Sequence, residues 1–193
     1  QPVALVTGAS SGIGRAIAIE LAAAGIDLAL VGRRARELSL LAAEIAEQGR
    51  LVEVLAVDLA ESKQLETVVD RTVESLGRLD ILINGAGQAG WVPALETDRE
   101  FFDAHLCLNA WVPLRLAQLA YPHLAEAPDG VVVMIGSVDA IRPSAGAAAY
   151  GASKGALSSL TVVLAKEWAR AGIRVVQVDP GLISTPMAKS VLG

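Results

Sequence analysis

Six short runs of mainly valine, isoleucine and leucine, at 2–6, 27–31, 51–57, 79–83, 130–135 and 173–178, alternate along the chain with longer stretches of helical periodicity. The runs are apolar with little polar alternation, so each is predicted to be a strand covered on both faces rather than one half-facing water. Strands covered on both faces and joined by helices form parallel sheets, and right-handed crossovers wind such sheets in two directions from a middle strand. The fold class predicted is α/β, a doubly wound parallel sheet with helices on both faces. Ligands then belong at the carboxyl ends of the strands. In the first helical stretch Ile13, Ile17 and Leu21 fall four apart and are predicted to form its buried face.

Nothing interrupts this alternation. No repeat, low-complexity tract or linker divides the 193 residues, and residues 1–193 read as one domain. Alanine and glycine are abundant and aromatics scarce, which suits helices lying close on a sheet. A net charge of −5 offers no general attraction for nucleic acid. The longest apolar stretch, around residues 16–32, is broken by Glu20 and Asp27, so no membrane span is expected. Cys107 is the only cysteine and reads as a small core side chain; neither a disulfide nor a metal site is expected, because His105 and His123 have no histidine at ligand spacing. The chain opens without methionine, directly in a strand, which reads as a trimmed start. No signal peptide is visible, and a cytoplasmic location is expected.

The first predicted strand runs straight into Thr7-Gly8-Ala9-Ser10-Ser11-Gly12-Ile13-Gly14. Gly8 allows a tight turn out of the strand, Gly12 lets a diphosphate approach the backbone, and Gly14 lets the next helix pack closely on the sheet. The start of that helix presents free N–H groups to an anion. The second strand ends Val31-Gly32-Arg33-Arg34, with no carboxylate to hold a ribose 2′-hydroxyl. Arg33 and Arg34, with Arg36, are cations at a helix start, where the macrodipole opposes them, and so point to an anionic guest such as a 2′-phosphate. NADP(H) is therefore expected ahead of NAD(H), with Arg33 the main determinant.

Tyr150 and Lys154 stand four apart at the start of a long helical segment and share one of its faces. Tyrosine is a poor base at neutral pH, and a nearby ammonium favours its phenolate, so the pair predicts a tyrosine with a lowered pKa. Ser137 closes the fifth strand, which places its hydroxyl at the carboxyl edge of the sheet.

The Gly-x3-Gly-x-Gly loop, the Tyr150-x3-Lys154 pair and the upstream Ser137 together resemble the short-chain dehydrogenase/reductase family, and the likeness runs over essentially the whole chain. The resemblance implies a Rossmann fold and an NAD(P)-dependent oxidoreductase moving a hydride between the nicotinamide and a small carbonyl or alcohol substrate. It implies that Tyr150 is the general acid or base, that Lys154 tunes it and holds the nicotinamide ribose, and that Ser137 steadies the substrate oxygen. By the same likeness Gly8, Ser10, Ser11, Gly12, Ile13 and Gly14 hold the phosphates, and Asp58 and Leu59 lie beside the adenine. Asp58 with Glu61 also has the spacing of a helix capping box. Asn84, Ala86 and Gly87 belong to the turn beside the adenosine ribose, where Gly85 replaces a family asparagine. Pro180, Gly181, Ile183 and Thr185 belong to the turn beside the nicotinamide carboxamide.

Asn109 occupies the position of the family's fourth catalytic residue, whose main-chain carbonyl holds a relay water. Pro113, four residues on, lacks the N–H that would otherwise occupy that carbonyl in a helix. Replacing Asn109 with alanine would hardly test that relay, because the backbone carbonyl remains. Trp91, Asp139 and Arg142 lie where such folds open their substrate pockets, and packing or solvation serves equally well to explain them.

Family members usually continue through a lid helix and a seventh strand, so a C-terminally shortened chain is expected here. It would form a homodimer or homotetramer at full length. Two other readings compete: a cofactor-binding module or inactive fragment, and an epimerase or dehydratase using the same tyrosine and lysine.

Overall fold

The computed structural model describes residues 1–188; Ser190 to Gly193, on which the expectation of a shortened end rests, lie outside that range. All six predicted strands form: β1 (Val3–Thr7), β2 (Asp27–Gly32), β3 (Val52–Ala56), β4 (Ile81–Asn84), β5 (Val131–Ile135) and β6 (Arg174–Val178). They make one parallel sheet in the order β3-β2-β1-β4-β5-β6. The order reverses between β1 and β4, which creates the crevice where a doubly wound sheet receives a ligand. This is the Rossmann arrangement expected.

Helices cover both faces, as the unbroken apolar strands require. Leu5 of β1 points into one core with Val68 and Val69 of α4 (Val68–Leu76), Leu116 of α6 (Val112–Glu126) and Leu157 of α7 (Ala148–Trp168). Its neighbours Ala4 and Val6 point the other way, into a core with Ala18 of α1 (Gly12–Ala23) and Leu38, Leu41 and Ile45 of α2 (Ala35–Ala46). The two-residue period of a strand thus feeds two separate cores. The short α3 (Ser62–Leu65) and α5 (Arg99–Leu106) complete the helices named among the described residues.

Two expectations are corrected. The buried face of α1 is Gly14, Ala18 and Ala22, while Ile13, Ile17 and Leu21 are only partly buried along its flank. Small side chains at the centre of the contact let the helix settle close to the sheet, and the larger ones fill the margins. Nor is the segment around Asn109 a regular α-helix, the geometry that the Pro113 argument assumes. Cys107–Trp111 is a π-turn between α5 and α6, in which the N–H of Val112 donates to the carbonyl of Cys107, five residues back. Among the described residues β3 and β6 are the sheet margins, and Val176 and Val178 of β6 are about half exposed.

Candidate active site

A groove of about 790 Å³ opens along the carboxyl ends of the strands, where the sheet order reverses. At one end lies the glycine loop. Gly8 takes φ +71°, and a Cβ there would stand 2.7 Å from the carbonyl oxygen of Gly85. Gly14 rests on the end of β1, where a Cβ would lie 2.5 Å from the carbonyl oxygen of Gly8. Ser10, Ser11 and Ile13 line the groove beside them, and Ser11 caps α1 without spending its side chain on a capping bond. The result is a floor of bare backbone at a helix start, which fits a diphosphate.

Thr7 holds this floor in register. Its hydroxyl accepts the N–H groups of Gly85 and Ala86, both at 3.0 Å, and donates to the carbonyl of Ile83 at 3.2 Å. One buried hydroxyl thereby ties β1 to the turn after β4. In the sequence, the one mark of this role is a polar residue ending an otherwise apolar strand. Ala86 and Gly87 line the groove as expected.

Asn84 does not line it. Its side chain turns into the core, with Nδ2 donating to the carbonyl of Pro113 at 3.4 Å and lying 3.3 Å from Met134 Sδ. Strand alternation explains this: Asn84 still belongs to β4 and faces α6, whereas the turn begins one residue later.

Both arginines after β2 line the groove, in different ways. Arg34 donates from Nε and Nη2 to Ser10 Oγ, at 3.2 and 3.0 Å, clasping the glycine loop. Arg33 extends towards Asp58, 3.9 Å from its carboxylate, and keeps 73% of its side chain exposed. Asp58 and Leu59 also line the groove. The capping box that the spacing of Asp58 and Glu61 allows is replaced by a different pairing. Asp58 Oδ1 accepts the N–H of Ala60, while the Asp58 N–H donates to the side chain of Gln64 rather than Glu61. The tight turn at 58–61 moves the reciprocal partner three residues further along.

Ser137, Tyr150 and Lys154 meet at the other end of the groove. Ser137 is buried; its N–H donates to Asp179 Oδ1 at 3.0 Å and its Oγ accepts the N–H of Asp139. Lys154 is 5% exposed, and its Nζ donates to the carbonyl of Ile135 at 2.7 Å and lies 5.9 Å from the centre of the Tyr150 ring. The turn residues Pro180, Gly181, Ile183 and Thr185 close the groove opposite.

The electrostatics differ from the sequence expectation. Burial pushes the Tyr150 phenol above its ordinary value; the Ser137 hydroxyl opposes this and the Asp139 carboxylate reinforces it. The desolvation of the phenolate outweighs what lines up to stabilise it. Lys154 is pushed down to about 8 by burial, with the Asp179 carboxylate pulling the other way. Asp179 therefore holds the Ser137 backbone and favours a charged Lys154, a role that a residue seen only as part of a Pro-Gly turn does not announce.

A stability prediction follows from Lys154. Its folded value of about 8 lies below the 10.5 of a free lysine, so the native state holds fewer protons between these limits. The cost of burying the ammonium is present in full below pH 8 and fades as the pH rises towards 10.5. In urea unfolding, Lys154→Met should gain stability relative to the parent at pH 7, and that advantage should shrink by about 2–3 kcal/mol by pH 10. An equal difference at both pH values would show that burial does not control this amine.

Asn109 is fully buried and does not line the groove, and its side chain is far from idle. Oδ1 accepts the N–H of Gln88 at 2.9 Å, and Nδ2 donates to the carbonyl of Gln88 and to Ser153 Oγ, each at 2.9 Å. It clamps the loop after β4 to the helix that carries Tyr150. Replacing it with alanine would strand these partners in a buried site, so the side chain has a structural task separate from the carbonyl's. Pro113 still has no N–H to offer its carbonyl, although the π-turn at Cys107–Trp111 replaces the regular helix that the proline argument assumes. His105 is also buried, with Nδ1 2.8 Å from the carbonyl of Phe101, in keeping with a structural role. No helix among the described residues is long and apolar enough to cross a membrane.

Comparisons with known proteins agree with this geometry. The family model described as short chain dehydrogenase matches residues 2–192. An uncharacterized oxidoreductase of Staphylococcus epidermidis is 34% identical over 190 residues, spanning 98% of this chain and 81% of the relative. The structure of a 7α-hydroxysteroid dehydrogenase complexed with NADH and 7-oxo glycochenodeoxycholic acid superimposes with a TM-score of 0.95 at 31% identity, covering all of this chain and 75% of that one. A 3-ketoacyl-(acyl-carrier-protein) reductase from Brucella melitensis, complexed with NADH, gives 0.93 at 30% identity, covering 99% and 80%. With the glycine loop, Ser137, Tyr150 and Lys154 gathered along one groove of a Rossmann sheet, the chain belongs to the short-chain dehydrogenase family of oxidoreductases.

Proposed function

We propose that this NAD(P)-dependent oxidoreductase interconverts a small carbonyl compound and its alcohol, with NADP(H) preferred, and that residues 1–193 act as one cofactor-binding and catalytic unit. The observation that carries the reading is that Ser137, Tyr150 and Lys154 line the same groove as the glycine loop. The cofactor supplies or takes the hydride. Tyr150 gives the proton to the new alkoxide in reduction and removes it in oxidation. Ser137 donates a hydrogen bond to the substrate oxygen as negative charge develops there. Lys154 holds the nicotinamide ribose and keeps a positive charge near the tyrosine. The Asn109 carbonyl holds a water that links Lys154 to solvent. Among the groove-lining residues, Asp58 and Leu59 would hold the adenine end of the cofactor, Ala86 and Gly87 the adenosine ribose, and Pro180, Gly181, Ile183 and Thr185 the nicotinamide end.

The NADP preference rests on the two arginines after β2 and on the absence of a carboxylate at the strand tip. Arg34, already turned towards the glycine loop through Ser10, would hold the 2′-phosphate together with Arg33. Two solved proteins of similar fold carry NADH, so the NADP preference rests on this chain's own arginines and is directly testable. Calorimetric titration should show NADPH binding at least about tenfold tighter than NADH, the scale of one charge-assisted pair. Replacing Arg33 and Arg34 together with serine should bring the two affinities within about threefold of each other, chiefly by weakening NADPH. Equal affinities in the parent chain would remove the NADP assignment while leaving the reaction class intact. A cytoplasmic location and, at full length, a homodimeric or homotetrameric assembly complete the proposal. The epimerase and inactive-module readings gain no support from the relatives, which are named as oxidoreductases, dehydrogenases or reductases.

A further inference from the structure

Beside Tyr150 the groove carries features that cofactor binding leaves unused. The Trp91 ring lies 5.6 Å from the Tyr150 ring, centre to centre, at 37°. Its backbone is anchored. Val92 donates its N–H to the carbonyl of Gly146 at 2.9 Å and pairs with Ala147, directly before the helix that carries Tyr150. Gly146, at φ +82°, packs its bare Cα against Trp91, with a notional Cβ 3.5 Å from the Trp91 Cβ. The Asn109 clamp holds the same loop at Gln88. Trp91 is thus a fixed wall on the groove, and it is only partly buried.

The second feature is Arg142, on the loop that leaves Ser137. It is exposed, lines the groove, and makes no ion pair or side-chain hydrogen bond among the described residues. The nearest carboxylate in sequence, Asp139, is committed elsewhere: its Oδ1 accepts both the N–H and the hydroxyl of Ser144, at 2.9 and 3.2 Å. Val138 and Leu182 add exposed apolar surface to the same part of the groove. The chain carries a net charge of −5, so an acidic substrate approaches against repulsion unless a local cation receives it.

We infer that Trp91 and Arg142 are specificity-determining residues, selecting carbonyl compounds that combine a flat ring next to the reacting carbon with a carboxylate at the far end. The ring lies against Trp91 as its carbonyl reaches Tyr150 and Ser137, and the carboxylate meets the Arg142 guanidinium. This rests on the proposed carbonyl chemistry.

The test uses four methyl ketones with NADPH and the full chain: 4-acetylbenzoate, its methyl ester, 4-oxopentanoate and its methyl ester. For the parent, kcat/KM for 4-acetylbenzoate should exceed that for either its ester or 4-oxopentanoate by about tenfold, the scale of one aromatic contact or one charge-assisted bond. Trp91→Leu should collapse the ring-to-chain ratio and leave the acid-to-ester ratio, and Arg142→Gln should do the reverse. A merely structural loss at either site would lower all four rates together and leave both ratios standing. Absence of either preference in the parent, or its survival in the matching variant, overturns the inference. If no ketone is turned over, quenching of tryptophan fluorescence in the NADPH complex separates the two ideas. Selective binding of 4-acetylbenzoate keeps the specificity and removes the carbonyl chemistry, whereas no binding of any of the four overturns the specificity as well.

Discussion

Tyr150→Phe is expected to lower kcat by about 10³-fold, within the range that general acid or base catalysis contributes, while NADPH affinity changes by no more than about threefold. The substitution removes one oxygen from a half-buried ring and leaves its contact with Trp91 in place. Folding and cofactor binding should therefore survive, and only the proton transfer should be lost. The pH profile tests the same residue without mutation. Burial raises the Tyr150 phenol, so it remains a proton donor through neutral pH, whereas Lys154 loses its charge above about 8. The kcat/KM for reduction should accordingly be level through neutral pH and fall above about 8. Measuring carbonyl-dependent NADPH oxidation in parent and variant decides the matter. A variant retaining more than about a tenth of the parent rate would remove Tyr150 from the chemistry.

Gly14→Ala should be nearly as damaging for an unrelated reason. The added methyl would stand 2.5 Å from the Gly8 carbonyl oxygen, 2.7 Å from its carbon and 3.1 Å from the Thr7 carbonyl oxygen, all backbone atoms that no side-chain rotation can move aside. Helix α1 must lift off β1, at a cost of about 1–3 kcal/mol for forced overpacking. The glycine loop moves with it, and a misplacement near 1 Å can lower turnover by about 10²-fold, with NADPH affinity falling in parallel. Gly155→Ala is the matched control. That glycine also sits in a helix, but a methyl there meets only the Ala140 carbonyl oxygen, at 3.9 Å. It should leave NADPH affinity unchanged and raise stability by about 0.5–1 kcal/mol through better helix propensity. Calorimetric titration and urea unfolding of the two variants separate steric exclusion from a general intolerance of alanine. Equal affinities in both would mean the loop does not depend on the close approach of α1.

The elements of this fold and most of its groove are local properties, and local properties are legible in a chain. Strand identity follows from unbroken apolar runs, which is why all six strands lie where the sequence places them. The glycine loop, the arginines after β2, Ser137 at the end of β5 and the Tyr150–Lys154 pair each stand at fixed offsets from an element boundary. Topology then carries them to one edge of the sheet. What the sequence could not determine depends on partners far away in the chain. The Thr7 hydroxyl finds its donors 78 and 79 residues on, Asp179 meets Ser137 across 42, and Asn109 meets Ser153 across 44. No periodicity encodes such pairs. The same limit explains the errors. Asn84 turned inward because its place in β4, not its place in a motif, set its direction, and α1 buried its smallest side chains because contact with the sheet favoured the closest approach. Tyr150 shows it most clearly. Its spacing from Lys154 announces an ammonium beside a phenol, yet how far that phenol is buried exists only once the helix, the serine loop and Trp91 have packed around it. Desolvation, a property of the assembled surroundings, then sets the direction of its pKa.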